Sequence, residues 1–409
     1  MLTHLRIHDF RERLIVGVLD LLLTLTAPFL KFLTIAPDSG AQQRILLLRL
    51  ERIGDLLMTL DAIALVRSRA PEAQIDLIVG SWNRSLAKLI PHINHIDHID
   101  MSWLTRNGSH GNLRELWTCI RRWRATRYNL TINFEADVRS NLVMALIGAP
   151  ERAGFDIKGG GALLTKRIVH NAEAHTSKNA IRLVDHVLPG RAPLGDDEKL
   201  TVRLQLPPDV VQHSTMHLPG IRDNVPWIGI HASGGREIKQ WDPLRFAEVG
   251  TRLAREHGAV LVLTGSTSDR LIVEQVKTAL PPDVPVVDLV GQVQLVDLAG
   301  VLSQLQVFLS ADTGPMHLAA AVGTPVVAIF GPADPKNYRP LGPNVKIIRI
   351  DLPCSPCNQI RKPPCGCRGY IPDCLVGVET DSVFDAAVDL LHGRSDRNAT
   401  LDITKRFST

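Results

Sequence analysis

At 409 residues, 45% hydrophobic and 22% charged, the chain has a globular and not a disordered composition, and it is long enough for two domains with separate cores. Lysine and arginine total 46 against 42 acids, and the net charge of +4 is too mild to imply a nucleic-acid partner. Of six cysteines, five crowd between Cys354 and Cys374. No paired framework runs through the chain and no cleavable leader is evident, which points to a reducing, cytoplasmic setting.

The first stretch, Leu14 to Ile35, is mostly apolar and follows Arg11 and Arg13. Asp20, Pro28, Lys31 and several threonines make it a poor spanning helix. A helix lying on a membrane surface, or one packed on the body, fits residues 1–43 better. After a turn at Ala36 to Gly40, the run Ile45 to Leu50 has the continuous apolarity of a strand covered on both faces. Gly54 and Asp55 then open a helix reaching Arg69. Further strands are expected at Ile75 to Val79, Ile96 to Ile99 and Leu130 to Phe134. Helices fall at Arg84 to Leu89, Leu113 to Arg124 and Val138 to Ile147. Six arginines between Arg106 and Arg127 face one acid, Glu115, a surface suited to an anionic partner. Lys158 to Leu206 is irregular, with three consecutive glycines among Lys166, Arg167, Lys178 and Arg182, and reads as an acceptor-binding segment or a plain connection.

A boundary is expected near Arg222, ending a first domain at 44–221. A second α/β series fills 222–380. Its strands are predicted at Trp227 to His231, Val260 to Leu263, Val286 to Leu289, Val307 to Leu309 and Val326 to Phe330. Helices alternate at Pro243 to Glu256, Asp269 to Leu280, Leu295 to Gln304 and Pro315 to Val322. A helix at Ser382 to Leu391 and a polar tail complete residues 381–409. Alternation of this kind predicts two open, mostly parallel α/β domains in tandem, with a cleft between them.

Several strand ends carry chemistry. Asp55 follows a glycine in the turn after the first strand, where such sheets present reactive groups, although a helix cap explains it as well. His231 to Pro243 runs from a strand end through Ser233 and Gly234, small residues that permit close ligand approach, to the bases Arg236 and Lys239, which suit a diphosphate. Thr264 and Gly265 form a polar turn that would accept a nucleoside. Asp312, Thr313 and Gly314 lie between a strand and a helix of small residues, beside the usual phosphate site at a helix N-terminus; capping alone would use one of them. His317, one turn on, would reach a phosphate or satisfy a buried partner.

Taken together, Arg52 to Leu60, His231 to Pro243, and above all Asp312 to Ala321 with Gly323-Thr324-Pro325 and Phe330 to Pro335, resemble the lipopolysaccharide heptosyltransferases of glycosyltransferase family 9. The likeness covers roughly Arg44 to Leu391. It implies the GT-B fold, two Rossmann-like domains facing a central cleft, and inverting sugar transfer that requires no metal or other cofactor. By position, Asp55 resembles the general base and Lys239 the lysine that steadies the donor phosphates. Asp312 resembles the carboxylate that holds sugar hydroxyls, with Thr313 and Gly314 offering backbone N–H groups. His231, Ser233, Gly234, Thr264, Gly265 and His317 complete the expected donor site, and Arg52, Lys166 and Arg167 the acceptor site. The implied partners are a nucleotide-sugar donor, ADP-heptose by the resemblance, and an anionic glycolipid at the inner face of the bacterial inner membrane.

Ser233-Gly234 stands where enterobacterial members carry two threonines, which opens the donor to other nucleotide sugars. A sugar-nucleotide-binding scaffold without catalysis is the reading from another class. Cys354, Cys357, Cys365, Cys367 and Cys374 have spacings that could bind structural zinc or an iron–sulfur cluster, with reduced thiols or a disulfide as the plainer state.

Overall fold

The computed structural model describes residues 10–30, 34–37, 42–100, 112–190, 203–220 and 225–405. Arg106, residues 38–40 of the predicted first turn, part of the irregular stretch and the break expected near Arg222 lie outside the described residues. The chain divides into two compact units, the second beginning at Arg203.

The first unit opens with helix α1 (Phe10–Leu30) and alternates strands with helices: β1 (Arg44–Arg49), α2 (Ile53–Leu57), α3 (Leu60–Arg69), β2 (Gln74–Val79), α4 (Arg84–Ala87), β3 (His95–His98), α5 (Leu113–Ala125), β4 (Leu130–Asn133), α6 (Val138–Ile147), β5 (Glu151–Phe155), β6 (Lys166–Ile168) and α7 (Thr176–Val187). All six strands are parallel, in the order β3-β2-β1-β4-β5-β6. Ile45, Leu46, Leu47 and Leu48 are all but inaccessible, as a strand flanked by helices on both faces requires. One helix was expected from Asp55 to Arg69, but the chain breaks at Met58 and Thr59. There the Asp55 carbonyl accepts from the Thr59 hydroxyl at 2.7 Å and from Arg49 Nε at 3.1 Å, and such competition for a backbone acceptor loosens a helix.

On the outside of this unit, α1 sets Val16, Leu19 and Leu23 against Val138, Leu142, Ala145 and Leu163. Asp20 Oδ1 accepts the Gly160 N–H at 2.6 Å, so the helix is pinned in rotation as well as in place.

The second unit comprises α8 (Pro208–Thr215), β7 (Trp227–His231), α9 (Pro243–His257), β8 (Val260–Leu263), α10 (Arg270–Ala279), β9 (Val286–Asp288), α11 (Leu295–Gln304), β10 (Val307–Ala311), α12 (Gly314–Val322), β11 (Val326–Ile329), α13 (Pro335–Tyr338), β12 (Val345–Ile348), α14 (Asp373–Val376) and α15 (Thr380–Lys405). Its parallel sheet has the order β12-β11-β10-β7-β8-β9. Counting strands within each unit, both sheets follow one dinucleotide-fold order, 3-2-1-4-5-6, whose direction of growth reverses between the first and fourth strands. α8 belongs with this sheet: Gln304 of α11 donates to the Val211 carbonyl and the Ser214 hydroxyl.

Close approach in this core is strict at Gly229 in β7, where an added Cβ would lie 2.5 Å from Phe308 Cδ2 and 2.6 Å from Leu305 Cδ1. Gly229→Ala is therefore expected to lower unfolding free energy by about 1–3 kcal/mol, the usual cost of overpacking. Urea denaturation monitored by circular dichroism checks this, and an unchanged midpoint would contradict the packing described.

Candidate functional site

In such sheets ligands bind beyond the carboxyl ends of the strands at the reversal of strand order. In the second unit that point lies between β7 and β10, and the predicted residues converge on it. β7 ends at buried His231, whose Nδ1 lies 3.1 Å from the Thr264 hydroxyl at the end of β8. Burial pushes the His231 imidazole down to about 4, so it is neutral at pH 7. Ser233 is buried, and its Oγ accepts from the Gly235 N–H at 3.2 Å. Burial opposes ionisation of Asp269, yet hydrogen bonds from Ser233 and Ser266 hold its carboxyl below the usual carboxylate range.

Lys239 ends a short 3₁₀ turn, Glu237–Lys239, and its Nζ lies 3.0 Å from Asp312 Oδ2. Only 15% of the lysine side chain and 10% of the carboxylate side chain are exposed. Gly234 makes this arrangement fit, because a Cβ there would sit 2.5 Å from the Lys239 carbonyl carbon. Asp312 and Thr313 join β10 to α12, with Thr313 at the N-cap and Pro315 in the first turn. Of the two readings left open for this turn, side-chain capping is not what Thr313 does. Thr313 makes no such bond, and the Asp312 carboxylate is engaged by Lys239. The α12 entrance thus keeps its amino end clear of a capping side chain, beside a lysine. His317 is buried one turn into α12, and Gly265 lies at the β8 turn, its carbonyl accepting the Gly291 N–H at 2.9 Å.

The first unit has its own reversal, between β1 and β4. Asp55 sits in the first turn of α2, where Oδ2 accepts the Arg52 N–H at 3.1 Å and Oδ1 lies 3.6 Å from Arg49 Nη2. Arg49 is the residue that the sequence pattern left unassigned. It is 3% exposed, and Nη1 donates to Glu51 Oε2 at 3.0 Å and to the Phe134 carbonyl at 2.8 Å. Glu135, just past β4, is buried and accepts the Leu50 N–H. Burial, reinforced by the neighbouring Glu51 carboxylate, raises its carboxyl to about 8. Charged residues at strand ends, Arg49 after the apolar run Ile45 to Leu48 and Glu135 after the mixed run Leu130 to Phe134, were the available signal.

Arg52 is exposed at the α2 N-cap, beside Asp55. Lys166 and Arg167 are not brought there. They lie on β6, three strands from β1 and so about 14 Å away by ordinary strand spacing. Lys166 Nζ is 3.0 Å from Glu151 and Arg167 Nη1 4.0 Å from Asp156. Within the arginine-rich stretch, Arg122 pairs with Asp97, and Arg124 donates to the Leu146 carbonyl at 2.6 Å.

Among the described residues no group of three or more His, Cys, Asp or Glu stands ready to hold a metal ion. Cys374 is nevertheless buried, and burial together with the neighbouring thiols Cys357, Cys354 and Cys367 pushes it up to about 11. Cys365 is exposed and is not in that company.

The model of glycosyltransferase family 9 (heptosyltransferase) matches residues 116–365, a segment that holds Lys239 and Asp312 and leaves Asp55 outside it. The chain is 24% identical over 298 residues to lipopolysaccharide heptosyltransferase 3 of Escherichia coli K12, covering 71% of this chain and 83% of that protein. Against lipopolysaccharide heptosyltransferase 2 of the same strain it is 27% identical over 306 residues, covering 73% and 85%. The solved E. coli ADP-heptose lipopolysaccharide heptosyltransferase II shares the fold, with a TM-score of 0.70 at 21% identity over 86% of this chain and 100% of that one.

Glu135 yields a pH test. Its folded value of about 8 exceeds the ordinary 4.5, so between those values the folded protein keeps a proton that the unfolded chain has released. That contribution to stability is fully present below about pH 4.5 and is lost as pH rises toward 8. Glu135→Gln keeps an acceptor for Leu50 and cannot ionise. Its urea midpoint relative to wild type is expected to rise between pH 5 and pH 8; a constant difference across that range would show that Glu135 is ionised throughout.

Proposed function

Because the chain belongs to glycosyltransferase family 9 and is a glycosyltransferase, we propose that it transfers heptose from ADP-heptose, with inversion and without a metal ion, onto a lipopolysaccharide core or a related envelope glycan. The observation that carries this reading is the buried Lys239–Asp312 pair at the β7/β10 reversal, beside the amino end of α12. The donor would exchange that pair for its own groups. Sugar hydroxyls take the Asp312 carboxylate, and diphosphate oxygens take Lys239 and the backbone N–H groups of Thr313 and Gly314. His231, Ser233, Gly234, Thr264, Gly265 and His317 would shape the remainder of the donor site.

Asp55 would act as general base. It removes the proton from an acceptor hydroxyl, whose oxygen bonds to the anomeric carbon as the bond from that carbon to the diphosphate oxygen breaks on the opposite face. Negative charge grows on the departing nucleotide, where a lysine and a helix N-terminus supply what a cation otherwise would. Arg49 would hold the base in place. Arg52, with Lys166 and Arg167 farther along the sheet, would meet an anionic glycolipid at the inner face of the inner membrane.

The cysteine loop supports a separate structural reading. Cys354, Cys357, Cys367 and Cys374 would close on a zinc ion or an iron centre that stiffens the segment after β12, outside the transfer chemistry. Elemental analysis of protein purified without a histidine tag is expected to give close to one equivalent of metal per chain; its absence from freshly purified protein returns these residues to plain thiols.

Asp55→Asn is expected to reduce turnover at least about 10²-fold, the usual scale for a lost general base, while ADP-heptose still raises the melting temperature. Turnover within a few-fold of wild type would remove Asp55 from that role. A stronger melting shift with a UDP-sugar than with ADP-heptose would reassign the donor, and no transfer to any extracted acceptor would favour a binding scaffold.

A further inference from the structure

We propose that the outward face of α1 is seated in the surface of an anionic phospholipid bilayer and so brings the acceptor side of the first unit to the lipid. Ile15, Val18, Leu22, Leu25 and Phe29 recur at alternating spacings of three and four, and Leu14 and Leu21 widen the same stripe. Their exposures run from 48% at Leu14 to 71% at Phe29. Water-soluble surfaces seldom carry so continuous an apolar band without a partner.

The helix cannot roll to hide the stripe. Its other face is occupied by Val16, Leu19 and Leu23 packed on α6 and Leu163, and Asp20 is locked to Gly160. Two threonines that would otherwise wet the surface turn their hydroxyls inward along the backbone, Thr24 to the Asp20 carbonyl at 2.7 Å and Thr26 to the Leu22 carbonyl at 2.9 Å. A hydroxyl satisfied in this way tolerates an acyl environment. Among the described residues no helix is long and apolar enough to cross a membrane, so α1 would lie in the interfacial plane.

Charge selects the kind of surface. Arg11 and Arg13 outnumber Glu12 in the first turn of the helix, and Lys158, next to the Gly159 that packs against Val16, lies toward the Glu51 and Asp137 carboxylates of the acceptor side. An anionic leaflet attracts such cations. The location matters as well, because α6, which carries Val138, Leu142 and Ala145 to α1, begins three residues after Glu135 at the β1/β4 reversal. This inference rests on the glycolipid-acceptor reading for its purpose, but not for its test.

Flotation with phosphatidylethanolamine vesicles containing phosphatidylglycerol is expected to carry the full-length protein upward, and vesicles of phosphatidylcholine alone to carry much less. The quadruple variant I15Q/V18Q/L22Q/L25Q should lose at least about tenfold in vesicle affinity and keep its melting temperature. Leu25→Trp, a milder change that guards against misfolding of the quadruple variant, should shift its fluorescence to the blue on adding anionic vesicles. Unchanged flotation of the quadruple variant, or an L25W emission spectrum blind to vesicles, overturns the proposal. So does a wild-type dimer that the quadruple variant abolishes, since the stripe then seats a second copy. Transfer to a deacylated, water-soluble acceptor should be equal in wild type and variant, and its complete absence in both would count against the glycolipid reading while the vesicle result stands separately.

Discussion

Each sheet reverses its direction of growth between two central strands, and that reversal governs where charge can be placed. Chains leaving the two strands turn toward opposite sides, so backbone groups at the carboxyl edge lose their neighbours where the flanking helices part. The buried cores on either side cannot serve them, and polar side chains must. In the first unit Arg49 answers the need, binding Glu51, the Asp55 carbonyl and the Phe134 carbonyl from one guanidinium. In the second unit Lys239 and Asp312 answer it as a pair.

The two solutions differ in what they leave available. Around Arg49 there are more carboxyls than cations, and burial first, then the Glu51 carboxylate, raise the Glu135 carboxyl to about 8. Around Asp312 the charges balance one to one and the adjoining histidine is neutral. A buried ion pair gains little net stability, since desolvation offsets most of its attraction. Its partners can therefore be traded for those of a ligand at small cost, as the proposed donor site would require.

Much of this was legible beforehand because fully buried strands are apolar runs. β7, β8, α6 and α11 have the predicted bounds, and the other central strands differ by a residue or two. The omissions share a physical origin. β5, as Glu151 to Phe155, β6, as Lys166 to Ile168, and β12, as Val345 to Ile348, are short and carry charges, and β6 and β12 are edge strands with one neighbour. α7 was hidden by the polar residues that cover its outer face, and α8 by two prolines that read as loop but in fact lead its first turn. The candidate site was clearest where small residues and charges follow a strand, as at Asp55 and at Asp312 to Gly314. Arg49 and Glu135 escaped notice because their roles come from neighbours some 85 residues away in sequence.

Gly234 turns steric space into a measure of distance. The backbone of Lys239 lies against the place where a side chain would begin, so position 234 works as a spacer between the end of β7 and the 3₁₀ turn. Any Cβ there would push the turn outward, and the lysine would carry the displacement to its tip, 3.0 Å from Asp312. The separation between the end of β7 and Asp312 is thus gauged by a residue that offers no functional group of its own. A change at that one small residue would resize the space between them and leave every charged group in the sequence as it is.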